Sequence, residues 1–142
     1  TSGSPRKITH YEIYRSPPSS PPEICAARVG FGTDCNGHKS IVHGGITSLI
    51  FDDVFGMGYF ILTKGMLGYT AYLKVDYRRP MGERTRCVCR VFEERREGRK
   101  VWLRGVMEEE GTGVVFSEAE ALYVVDKRMV KMEIGKEIEE FL

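Results

Sequence analysis

One run, residues 45–60, is apolar at almost every turn, carrying Ile46, Leu49, Ile50, Phe51, Val54, Phe55, Met57, Tyr59 and Phe60. It exceeds the length of a usual strand and reads as a helix. A helix that is apolar on every side has to be covered on every side, so its surroundings must wrap it rather than rest against one stripe. Gly56 and Gly58 weaken its second half, and residues 63–68 read as its exit loop.

After that loop the period changes to two. Tyr69, Ala71, Leu73, Val75 and Tyr77 alternate with Thr70, Tyr72, Lys74, Asp76 and Arg78 as far as Pro80, the pattern of a strand. Three more strands are expected over 85–95, with Cys87, Cys89 and Val91 on one face, over 100–109, around Val101, Leu103 and Met107, and over 113–125. Glu97-Gly98 and Gly111-Thr112-Gly113 supply turns, which makes these three an antiparallel meander. Ahead of the helix, 23–31 puts Cys25, Ala27, Val29 and Phe31 on one face of a further strand, and 32–37 carries turn chemistry. Residues 15–22 hold four of the 6 prolines and are excluded from a helix or a central strand.

The expected organisation is a proline-rich lead-in (1–22), one domain (23–126) and a charged tail (127–142) read as a short helix or a frayed end. The class is α+β, a curved antiparallel sheet around a central helix. One small sheet covers only part of such a helix, and a second copy of the chain is the natural source of the missing cover.

Composition excludes several functions. With 142 residues, 42% hydrophobic and 29% charged, the chain is long enough for one continuous core and is not of the disordered class. Lys and Arg total 21 against 20 Asp and Glu, so no bulk charge calls for nucleic acid or an anionic membrane. No apolar run is expected to span a bilayer, and the N-terminus lacks an apolar signal core. Cys25, Cys35, Cys87 and Cys89 are too few for a disulfide scaffold, and Cys87-x-Cys89 has no second pair, so no zinc site is expected. A reduced, intracellular compartment follows, cytoplasmic or mitochondrial, with Thr1 in place of Met leaving room for an upstream targeting segment.

Chemistry concentrates in Ile41-Val42-His43-Gly44-Gly45, which leads into the helix, and in Asp52 and Asp53 within it. Glycines at a helix entrance let a ligand approach the backbone, and first-turn N–H groups suit a carbonyl oxygen becoming an oxyanion. A carboxylate in so apolar a helix must be paired, hydrogen-bonded, protonated or facing a polar cavity. The residues alone leave Asp52 and Asp53 open. We take Asp52 as the functional group and Asp53 as structural support. Seven residues at about 1.5 Å each set Asp52 roughly 10 Å along the axis from Gly45, too far for both to hold one carbon within a chain. Two opposed helices in a symmetric dimer would let each give half of a site.

His43-Gly44-Gly45, the acid at Asp52, Thr70 at the start of the next strand and Val75-Asp76-Tyr77-Arg78-Arg79-Pro80 at its end closely resemble hotdog-fold acyl-CoA thioesterases, in particular the phenylacetate-pathway and mammalian thioesterase-superfamily branch. Glu97-Gly98-Arg99-Lys100 and Ser117-Glu118-Ala119-Glu120-Ala121-Leu122 agree with it. The resemblance implies a hotdog sheet that dimerises into one continuous sheet, a homodimer that can pair further into a tetramer, and hydrolysis of acyl-CoA with no cofactor beyond the CoA of the substrate. It implies that the Gly44 and Gly45 backbone polarises the thioester carbonyl while His43 holds the turn. It also gives Asp52 as base toward water, or as nucleophile, with Thr70 orienting the water or the carboxylate. Some relatives carry an Asn or Gln upstream of the His that assists the carbonyl; here the sequence departs, with Asn36 seven residues before His43 as the candidate and its role open. Arg78, Arg79, Arg99 and Lys100 are candidates for the coenzyme A phosphates. A non-catalytic acyl-CoA-binding or protein-interaction module and a hydratase on the same scaffold are the alternatives, since fold does not fix chemistry.

Overall fold

The computed structural model describes residues 8–17, 19, 22–32, 36–38 and 41–126. The elements in order are β1 (Ile8–Arg15), β2 (Glu23–Phe31), β3 (Asn36–His38), β4 (Ile41–Val42), α1 (Gly44–Thr63), β5 (Gly68–Tyr77), β6 (Arg86–Glu97), β7 (Lys100–Glu109) and β8 (Val115–Val125). Six strands form one antiparallel sheet in the order β1-β2-β6-β7-β8-β5, and β3 and β4 make a separate ladder before the helix. The sheet curves around α1, the hotdog arrangement.

The expected meander is β6-β7-β8, and β2 and β7 have the bounds the alternation gave them. β1 was not anticipated. It lies inside the segment read only as a lead-in, where its alternation is weak because most of its side chains are exposed on an edge strand. The expected tail lies outside the described residues, as do Cys35 and the side chains of Asn36 and His38.

The inner sheet face and α1 make the core. Phe51 and Phe55 stack at 5.8 Å, both fully buried, and lie against Gly105 of β7. A Cβ on Gly105 would come within 2.8 Å of the Phe55 ring, so the sheet approaches the helix there only without a side chain. Gly58 does the same for Val91 of β6, where an added Cβ would meet Cγ1 at 2.9 Å. The glycine that weakens the helix in isolation is therefore a packing requirement. Tertiary contact carries α1 past the expected end to Thr63. There Thr63 Oγ1 donates to the Tyr59 carbonyl at 2.7 Å and Lys64 closes the helix in the left-handed conformation at φ 57°.

One expectation about this helix needs correction. At 20 residues α1 is long and apolar enough to cross a bilayer by length and composition, although no such run was expected. The same composition serves a core helix, and the sheet covers Ile50, Phe51, Val54 and Phe55. As expected of one small sheet, α1 is covered on only part of its circumference within one chain. Leu49 and Phe60 are 60% and 58% exposed, and with Gly45, Asp52, Asp53 and Met57 they form one outward stripe. Asp52 and Asp53 thus stand on an exposed face, not in the apolar interior, because the sheet reaches only the opposite side.

Candidate functional site

His43 is the N-cap of α1, with extended backbone at φ −63° and ψ 133°. Its Nδ1 accepts from the Gly45 N–H at 2.8 Å, the role that Ser, Thr, Asp or Asn fills at most helix starts. A Cβ on Gly45 would lie 2.9 Å from that nitrogen, so the glycine makes room for the imidazole. The His43 carbonyl accepts from Ile46 and Thr47 at 3.0 and 3.4 Å. With Gly45, Ile46 and Thr47 so engaged, Gly44 at the first helical position supplies the amide that these bonds leave over. Of the two amides expected to polarise a carbonyl, Gly45 is the one that holds the turn.

Tyr77, at the last position of β5, completes this corner. Its hydroxyl donates to the Gly44 carbonyl at 2.6 Å and lies 2.7 Å from Ser48 Oγ. Arg78 and Arg79 donate backbone N–H groups to the Phe116 carbonyl, at 2.9 and 3.0 Å, which fixes the chain as it leaves the strand. Gly44, Tyr77, Arg78 and Arg79 line one groove of about 320 Å³. The Arg78 guanidinium is bound to Glu118 Oε2 at 2.5 and 2.9 Å, whereas Arg79 has an exposed side chain. Asn36 pairs with Val42 in the β3-β4 ladder, so the hairpin returns its backbone beside the residue preceding His43.

The acid lies at the other end of β5. Thr70 pairs with Tyr123 of β8, then a bulge shifts the register so that Tyr72 pairs with Leu122 and Leu73 with Ala121. Strict alternation puts Thr70 on the outer face with Tyr72 and Lys74. The extra residue, Ala71, turns Thr70 instead to the helix side and Tyr69 to the outside. The Tyr123 hydroxyl then donates to the Asp52 carbonyl of α1 at 3.3 Å. Burial pushes the Tyr123 hydroxyl up to about 12, against a hydrogen-bonding pull from Thr70 and with the charges of Asp52 and Asp53 adding to the rise. Asp53 accepts from Tyr11 of β1. Burial, then Asp53 itself, raises the Tyr11 hydroxyl well above its ordinary value, so this donor keeps its proton. Among the described residues, the Asp52 carboxylate enters no side-chain hydrogen bond or ion pair, whereas the Asp53 carboxylate is engaged by Tyr11.

The four basic candidates do not form one cluster within the chain. Arg99 and Lys100 sit at the β6-β7 turn, beside Val124 and Val125 of β8 and hence at the Thr70 end of β5. They line a groove of about 450 Å³ with Arg95 and Trp102. Trp102 belongs to the outer sheet surface, with the Arg95 guanidinium 3.9 Å from its ring centroid. Sequence reasoning gave no hydrogen-bonding role to Tyr77, Ser48, Tyr123 or Tyr11. Tyr77 was legible in principle, since it shares the face of Leu73 and Val75, whereas the Tyr123 contact depends on the bulge.

No protein-family profile and no curated protein sequence matches the chain. Solved structures do. A thioesterase superfamily protein is 27% identical with a TM-score of 0.64 over 72% of this chain, which spans about half, 48%, of that protein. Thioesterase superfamily member 2 from zebrafish has a TM-score of 0.72 at 10% identity, covering 83% of each chain. A hypothetical thioesterase from Streptococcus pneumoniae, solved with coenzyme A, has a TM-score of 0.69 at 14% identity over 82% of this chain and 88% of its own. The chain has the hotdog fold, and its structural neighbours are members of the thioesterase superfamily.

Proposed function

We propose that this chain hydrolyses acyl-CoA thioesters as a symmetric dimer with composite sites. One observation carries this reading: the Gly44 corner and the Asp52–Thr70 pair lie at opposite ends of β5, the strand that ends the sheet. Ten residues at about 3.3 Å each make β5 roughly 30 Å long. Antiparallel pairing of β5 with its copy across a two-fold sets the Tyr77 end of one strand against the Gly68 end of the other. Each Gly44 then meets an Asp52 and Thr70 from the second copy. Arg79 of one copy joins Arg99 and Lys100 of the other around the same mouth. The exposed stripe of Leu49, Met57 and Phe60 gains its cover from the same association.

In such a site the Gly44 N–H, at the positive end of α1, holds the thioester oxygen as it gains charge. Asp52 takes a proton from water, whose oxygen attacks the carbonyl carbon. The C–S bond then breaks and the proton passes to the departing thiolate, giving free acid and coenzyme A. Thr70 orients the water. The basic residues at the mouth attract the phosphates.

Thiol release measured across short, medium, long and aromatic acyl-CoAs tests the proposal. Wild type is expected to turn over at least one class, and Asp52→Asn to fold normally and lose turnover by about 10²-fold or more. Wild-type rates in Asp52→Asn would remove Asp52 from the mechanism. Tight acyl-CoA binding without thiol release would instead identify a non-catalytic binding module.

A further inference from the structure

We propose that Tyr123 is a positioning residue for the Asp52–Thr70 half-site, holding the Thr70 strand position and the Asp52 turn of α1 in one fixed relation. The proposal rests on the hydrolase reading above.

Asp52 and Thr70 are both exposed and belong to different elements, a helix and an edge strand. Tyr123 is 6% exposed and touches both elements. It is the cross-strand partner of Thr70 beside the bulge, and its hydroxyl donates to the Asp52 carbonyl. Its ring is fixed by stacking on Tyr59 at 4.9 Å, and the Tyr59 hydroxyl in turn donates to the Leu67 carbonyl at 3.3 Å, just ahead of β5. The hydroxyl meets α1 beside Gly56, where an added Cβ would stand 4.0 Å from it. Packing does not call for this oxygen. A phenylalanine would fill the same space without the cost of burying a hydroxyl. What the oxygen adds is a link between the two groups that the chemistry needs in register.

The test compares wild type, Tyr123→Phe, Thr70→Ala and the double variant by thiol release and thermal melting. Tyr123→Phe is expected to lower kcat by about tenfold with KM within about twofold, while Tm stays within a few degrees of wild type. The double variant should lose clearly less than the product of the two single losses, because both residues serve one half-site. Wild-type kcat in Tyr123→Phe, or losses that simply multiply in the double variant, overturns the proposal and leaves the hydrolase reading intact. A wild type with no turnover on any acyl-CoA removes that reading and the proposal with it.

Discussion

At His43 a single imidazole does the work of the usual capping hydroxyl. An acceptor at Nδ1 requires that nitrogen to be unprotonated, with the proton on Nε2. Replacing His43 by alanine takes away the acceptor of the Gly45 N–H, at an expected cost of about 1 kcal/mol in chemical denaturation. Asparagine, itself a strong cap, should restore most of that stability, and a His43→Asn variant as weak as alanine would contradict the capping role. Buried thiols set the alkaline limit. Burial pushes Cys25 and Cys87 from an ordinary value near 9 to about 12. The unfolded chain therefore releases these protons first. Their contribution is complete below pH 9 and is lost as pH rises toward 12, and Tyr123, raised from 10 to about 12, adds to the loss. Denaturation midpoints should fall across that window, and less steeply in Cys25→Ala and Cys87→Ala.

Among the elements, α1 and the meander were legible because apolar periodicity is a local property of the chain. Five strand positions and the helix followed from it, and the corner at His43-Gly44-Gly45 was legible from its glycines at a helix entrance. The rest depends on partners that periodicity does not contain. β1 is an exposed edge whose pattern shows little alternation, α1 persists through Gly58 because Val91 packs there, and Thr70 reaches the helix side only because the ladder slips by one residue at Ala71. Deleting Ala71 should close the bulge and leave Thr70 opposite Tyr123, still on the helix side. The expected outcome is a folded protein that keeps more turnover than Thr70→Ala. An Ala71 deletion that stays folded yet turns over no faster than Thr70→Ala would show that the place opposite Tyr123 is not what Thr70 contributes.

For the whole molecule, the proposed function turns on the separation of the Gly44 corner from Asp52 and Thr70 along β5. One chain offers an amide corner at one end of β5 and a carboxylate with its hydroxyl at the other, and an outward stripe of α1 carries Leu49 and Phe60 uncovered. A two-fold axis perpendicular to the edge strand at its middle would resolve both features at once. The most direct measurement is complementation between two inactive variants. Asp52→Asn removes the base. Gly44→Pro deletes the one amide at the first helical position, where proline is tolerated and where the extended His43 backbone already suits it. Unfolded together and refolded as an equal mixture, half of the dimers are hybrids, each with one intact site, so a composite site predicts recovery to about one quarter of the wild-type rate. A refolded mixture no more active than the two variants measured separately would contradict it.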